Sequence, residues 1–93
     1  MTVGILKLVL FIPQSNSLKE KRMILEGLKT KLRNRFNVAV AQIDDMDKWQ
    51  KATLAIAGVE NDKARMNSLL CGVLNFTEQM HNLNVIDYEM ELL

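Results

Sequence analysis

A chain of 93 residues, 48% hydrophobic and 25% charged, has the make-up of one folded domain over residues 1–93, and excludes disordered, fibrous and collagen-like classes. Its single cysteine, Cys71, cannot close an internal disulfide, which points to a reducing, cytoplasmic setting. The net charge of +1 hides an imbalance: residues 1–52 hold ten Lys/Arg against five Asp/Glu, and residues 53–93 hold two against six.

The first element, Thr2 to Pro13, reads as a strand. Gly4, Leu6, Leu8, Leu10 and Ile12 share one face, and Val3, Ile5, Lys7, Val9 and Phe11 share the other. Two apolar faces suit a central strand, and Pro13 ends it because proline donates no ladder hydrogen bond. No basic residue precedes this apolar run and Lys7 interrupts it. It is also shorter than the roughly 20 residues that span a bilayer. The expectation is therefore a buried strand in a protein that is neither exported nor membrane-bound.

Ser17-Leu18-Lys19-Glu20 fits a capping box, in which the Ser17 hydroxyl accepts from the Glu20 amide and the Glu20 carboxylate reaches back to Ser17. A helix is predicted from there to about Asn34. Leu18, Leu25, Leu28 and Leu32 form its apolar face, with Ile24 beside them; Lys19, Arg22, Lys29 and Arg33 form the opposite stripe, interrupted by Glu26. Lys21 falls inside the apolar arc, where it must either snorkel past the core edge or meet a carboxylate.

Phe36 to Asp44 is predicted as the second strand, with Phe36, Val38 and Val40 on one face and Ala39, Ala41 and Ile43 on the other. Asp44 to Gln50 is a polar loop carrying three aspartates and Trp49. Lys51 to Glu60 is a third strand rich in small residues, which let a bulky element approach closely. Asn61 or Asp62 caps a second helix with apolar positions from Met66 to Met80. Val85 to Leu92 alternates cleanly as an edge strand, with Ile86, Tyr88, Met90 and Leu92 inward and Val85, Asp87, Glu89 and Glu91 outward.

The order strand, helix, strand, strand, helix, strand is an α+β, ferredoxin-like βαββαβ plan: a four-stranded antiparallel sheet with two helices on one face. The first and third strands should be central. The other sheet face is left bare, and an apolar bare face marks a partner surface. Ile5, Lys7, Val9 and Phe11 are the residues expected there, and a homodimer built by packing two sheets is the expected use.

Several stretches resemble the YlxP-like family, a bacterial domain of unknown function. They are Val3-Gly4-Ile5-Leu6, the string Ser17-Leu18-Lys19-Glu20-Lys21-Arg22, Arg35-Phe36-Asn37-Val38, then Asp44, Asp47, Trp49-Gln50 and Ala52, and the Asn61-Asp62 helix entry. The resemblance spans nearly the whole chain. It implies a ferredoxin-like fold. Members are often encoded beside translation initiation factor two and ribosome-binding factor A, which implies a role near the ribosome without defining an activity. It supplies no catalytic residues.

The stripe of Lys19, Arg22, Lys29 and Arg33 could lie over nucleic-acid phosphates; the competing reading is a solvated helix in which Glu26 pairs with Arg22 and Lys29. RNA-recognition modules of this plan stack bases on sheet aromatics. Here the third strand has no aromatic and the first offers only Phe11, so helix-to-phosphate contact is the expected mode. Asp44, Asp45 and Asp47 lack the spacing of a calcium loop and are expected to form a turn. Trp49 either packs on the core edge or stands exposed as an interface anchor. His81 and Cys71 lie too far apart along the second helix to act together. The six methionines are expected mostly as core filler.

No catalytic residue, metal ligand set or cofactor is assigned. The leading expectation is a non-catalytic binding module, ribosome- or RNA-associated through Lys19, Arg22, Lys29, Arg33 and Trp49. The first alternative is a structural homodimer or docking subunit using the open sheet face. The second is a small-molecule site or enzyme at a dimer interface, centred on Lys7.

Overall fold

The computed structural model describes all of residues 1–93. Six elements follow in order: β1 (Thr2–Phe11), α1 (Leu18–Arg35), β2 (Ala39–Asp44), β3 (Lys51–Glu60), α2 (Lys63–Glu78) and β4 (Asn84–Leu92). The strands form one antiparallel sheet in the order β2-β3-β1-β4. This is the ferredoxin-like α+β plan, with β1 and β3 central as their two-sided apolar patterns require. No helix is long and apolar enough to cross a membrane.

Strict alternation along β1 divides the molecule into its two faces. Leu6, Leu8 and Leu10 are fully buried beneath the helices, whereas Val3, Ile5, Lys7 and Val9 on the other face are only half-buried. The core fills the space between the helix-side residues of β1 and β3 and the apolar faces of the helices, including Leu25, Leu28 and Leu32 of α1 and Met66, Leu70 and Val73 of α2. Small residues admit α2 closely: a Cβ on Gly4 would run into the Met66 side chain, and one on Gly58 would lie 2.9 Å from Leu69 Cδ2.

Helix entry is local chemistry. Ser17 Oγ accepts from the Glu20 amide at 3.1 Å, as the capping box predicts. The Glu20 carboxylate, however, accepts from the Asn16 amide at 3.0 Å and not from that of Ser17. Asp62 caps α2 by accepting from the Arg65 amide at 2.8 Å.

Both edge strands depart from the predicted alternation. The register of β2 on β3 shifts between Gln42 and Asp44, leaving Ile43 unpaired. That of β4 on β1 shifts at Val9/Leu10, leaving Ile86 unpaired between Val85 and Asp87. One extra residue reverses the pattern beyond it. Val85 therefore pairs with Leu10 and packs against the core, while Ile86, predicted inward, is 57% exposed. Tyr88, Met90 and Leu92 keep the helix side, opposite Leu8, Leu6 and Gly4. Tyr88 and Leu92 stay exposed there, in keeping with their place on an edge strand.

The second strand begins at Ala39, not Phe36. Phe36 is the C-cap of α1 and stacks edge-on against Phe76 at 6.0 Å, with the Arg35 guanidinium 5.1 Å from the same ring. The methionines divide: Met66 is buried, Met80 and Met90 are half-buried, and Met1, Met23 and Met46 are exposed.

Candidate functional site

The loop between β2 and β3 is held from both sides of the sheet. From the helix side, Lys21 in the first turns of α1 sends its ammonium into the loop. Its Nζ donates to the carbonyls of Asp45 at 2.6 Å, Lys51 at 3.0 Å, Met46 at 3.4 Å and Lys48. The residue is only 3% exposed. An ammonium has three protons, so four converging carbonyls keep it fully satisfied by sharing. Burial pushes its pKa below the ordinary 10.5, and the Asp45 and Asp47 carboxylates pull it part of the way back. The sequence offered a carboxylate or open water as the partner of Lys21; the structure supplies backbone carbonyls.

A carboxylate grips the other side. Asp45 Oδ2 accepts from Thr53 Oγ1 at 2.7 Å, and Asp45 Oδ1 lies 3.2 Å from Lys48 Nζ. The Thr53 hydrogen bond is the first cause of a pKa held below the ordinary 3.8; burial opposes it, and Lys48 and Lys51 reinforce it. Asp45 takes the left-handed backbone, with φ of 64°, a conformation that aspartate tolerates better than most residues. Its carboxylate is thus occupied by the loop's own donors.

The same end is tied to the β1–α1 connection. Gln50 Nε2 donates to the carbonyls of Pro13 at 3.1 Å and Ser15 at 3.3 Å, and the Ile12 amide donates to the Gln50 carbonyl at 2.8 Å. Trp49 lies between Lys48, whose carbonyl is held by Lys21, and Gln50, held at both its amide side chain and its carbonyl. Trp49 as a residue is nonetheless 56% exposed. Of the two readings of Trp49, packing on the core edge is therefore overturned: its backbone is anchored and its ring is displayed.

The basic stripe divides into two halves. Lys19 and Arg22 are exposed, form no ion pair, and stand at the end of α1 that carries Lys21 and the loop. Farther along, Lys29 pairs with Glu26 at 3.2 Å and Arg33 Nη2 donates to the Val40 carbonyl at 3.1 Å. Glu26 pairs only with Lys29 and not with Arg22. Charge is also segregated in space. Helix α1, with seven Lys/Arg against two Glu, packs against edge strand β2, while Asp87, Glu89 and Glu91 lie on the opposite edge, β4.

On the open face Lys7 lies across from Glu89 on one side and Ala55 on the other. It is half-buried and makes no hydrogen bond or ion pair, which weakens the reading of Lys7 as the centre of a catalytic or small-molecule site. Phe11 is exposed, and Ile5 and Val9 are half-buried beside it. Cys71 is half-buried with a free thiol, and His81 is exposed beyond the end of α2. Sequence reasoning missed Gln50 and Thr53 as loop anchors. The signal for Lys21, a cation in an apolar arc, was visible, but its partners were not.

The profile of a family described as protein of unknown function (DUF503) matches residues 3–90. The chain is 33% identical over 76 residues to the uncharacterized protein YlxP of Bacillus subtilis (strain 168), covering 82% of this chain and 83% of that one. The chain is a member of the DUF503, YlxP-like family.

Proposed function

We propose that the chain is a non-catalytic binding module that docks on structured RNA, such as that of the ribosome, through the first turns of α1 and the Trp49 loop. One observation carries this reading: Lys21 fastens the exposed Trp49 loop to the cationic start of α1. Two features separate in sequence become one preorganised surface. Lys19 and Arg22 are free to neutralise phosphates, and the Trp49 ring is free to stack on an unpaired base. Preorganisation matters because ordering a loop on binding costs affinity. Lys29 and Arg33 are secondary in this reading, since each already has a partner.

Binding to ribosomal subunits and to isolated structured RNA across a salt series tests it. Charge reversal at Lys19 and Arg22 should weaken binding and lower the slope of log affinity against log salt by about one per lost phosphate contact. Trp49→Ala should lower affinity about ten-fold at every salt concentration. Reversal at Arg33 should matter less. Retention indifferent to salt, to the paired reversal and to loss of the indole would overturn the proposal.

A further inference from the structure

We propose that the open sheet face joins two copies of this chain about a two-fold axis running along the strands, so that β1 of one protomer lies over β3 of its partner. On that face β1 presents Val3, Ile5, Lys7, Val9 and Phe11, whereas the middle of β3 presents only Ala55 and Ala57, between buried Thr53 and exposed Val59. At mid-strand, ridge and furrow lie side by side, in register, with Ile5 paired to Ala57 and Lys7 to Ala55. A two-fold along the strands exchanges left for right and keeps height along the strand. It therefore sets Ile5 over the partner's Ala57, bulky side chain into shallow place, and the Lys7 stem over the partner's Ala55. A trough of about 420 Å³ crosses this face, lined by Ala55, Ile5, Ile43, Lys7 and the Glu89–Glu91 stretch of β4.

Charge selects the same axis. The acidic residues Asp87, Glu89 and Glu91 lie on β4 alone, opposite Val9, Lys7 and Ile5. A two-fold across the strands would stack the two acidic rows and repel. The axis along the strands sends them to opposite rims, in water. Lys7 stands across from Glu89 of its own chain without forming an ion pair; in the dimer its stem lies in the interface and its ammonium reaches toward the acidic rim. Apolar groups of the face are uncovered in the single chain, with Val59 56% and Ile43 49% exposed. Four strands about 4.8 Å apart, with β1 and β3 rising about 3.3 Å per residue, give a footprint on the order of 600 Å² per copy, at the small end of stable interfaces. Helix α1 stays on the outside of both copies, so this inference stands apart from the RNA reading.

Sedimentation of the full chain at micromolar concentration should give twice the 10.6 kDa chain mass; a single-chain mass alone would overturn the proposal. Ala57→Glu and Val59→Asp alter residues exposed in the protomer and should halve the sedimenting mass while cooperative unfolding persists. A dimer that survives both excludes this face. For the axis, in a Cys71→Ala background, separately tagged Ile5→Cys and Ala57→Cys chains should cross-link to each other on oxidation. Failure of that pair, with efficient self-cross-linking of Glu89→Cys, would sink the strand-parallel axis.

Discussion

The two edges of the sheet use one backbone device to different ends. Each edge strand carries a one-residue bulge, and each bulge leaves an isoleucine outside: Ile43 on β2 and Ile86 on β4. At β2 the bulge lies at the strand's exit, and the loop that follows is seized by Lys21 from the helix side and by Thr53 from the other. At β4 the bulge lies at the entry, next to Leu83 and Val85, which pack on the core, and its one charged contact is local, the Asp87 carboxylate accepting from the Tyr88 amide at 2.9 Å. A bulge ends or re-aims pairing in both places. Where hydrophobic packing is at hand, no distant side chain has to hold the bulge; where a polar loop must be held over the core edge, a buried cation organises its carbonyls.

The comparison can be broken at its strongest point first. Lys21→Met keeps the stem and removes the ammonium, leaving loop carbonyls without their donor. Stability by urea unfolding should fall by about 3 kcal/mol. Trp49, the only tryptophan, should report a looser loop through faster fluorescence depolarisation. Val85→Ala tests the other edge: loss of its core contact should cost about 1–2 kcal/mol, whereas Ile86→Ala and Ile43→Ala should each stay within about 0.5 kcal/mol. Equal effects at Val85 and Ile86 would show that the bulge is misplaced. The subtlest test is acid. Asp45 has a lower pKa folded than unfolded, so below 3.8 the unfolded chain binds the proton first. The stabilisation is complete above that value and is lost as pH falls through the folded value. Asp45→Asn should flatten the acid limb of the stability curve between about pH 2 and pH 5, measured as urea midpoints; an unchanged limb would mean that another carboxylate carries it.

The legible parts were those governed by period and capping. Alternation along β1 named its buried face, Ser17 named the start of α1, Asn61 or Asp62 that of α2, and Gly58 in the small-residue run of β3 announced the close approach of a bulky element. The second strand was set too early because Phe36 and Val38 share the inward direction of Val40, yet the α1 C-cap and the contact with Phe76 claim Phe36 first, and the Val38 amide turns back to the Phe36 carbonyl. Ile86 and Val85 were exchanged because a bulge is a property of two paired strands, and its partner, the step at Val9/Leu10, lies over seventy residues away. The stripe on α1 looked uniform because helical spacing shows which residues share a face but not which already have a partner.

By itself the sequence determined the element order, the faces of β1 and α1, the segregation of charge between its halves and the membership of its family, since all of these follow from local periodicity and from residues adjacent in the chain. Tertiary structure decided the rest. It placed four carbonyls around Lys21, displayed Trp49 rather than burying it, occupied Lys29 and Arg33 while freeing Lys19 and Arg22, and set bulky β1 beside small β3 on the bare face. Each of these depends on groups tens of residues apart meeting at hydrogen-bond or packing distance. Such distances are set by how the strands register on one another, and local propensity carries little information about register.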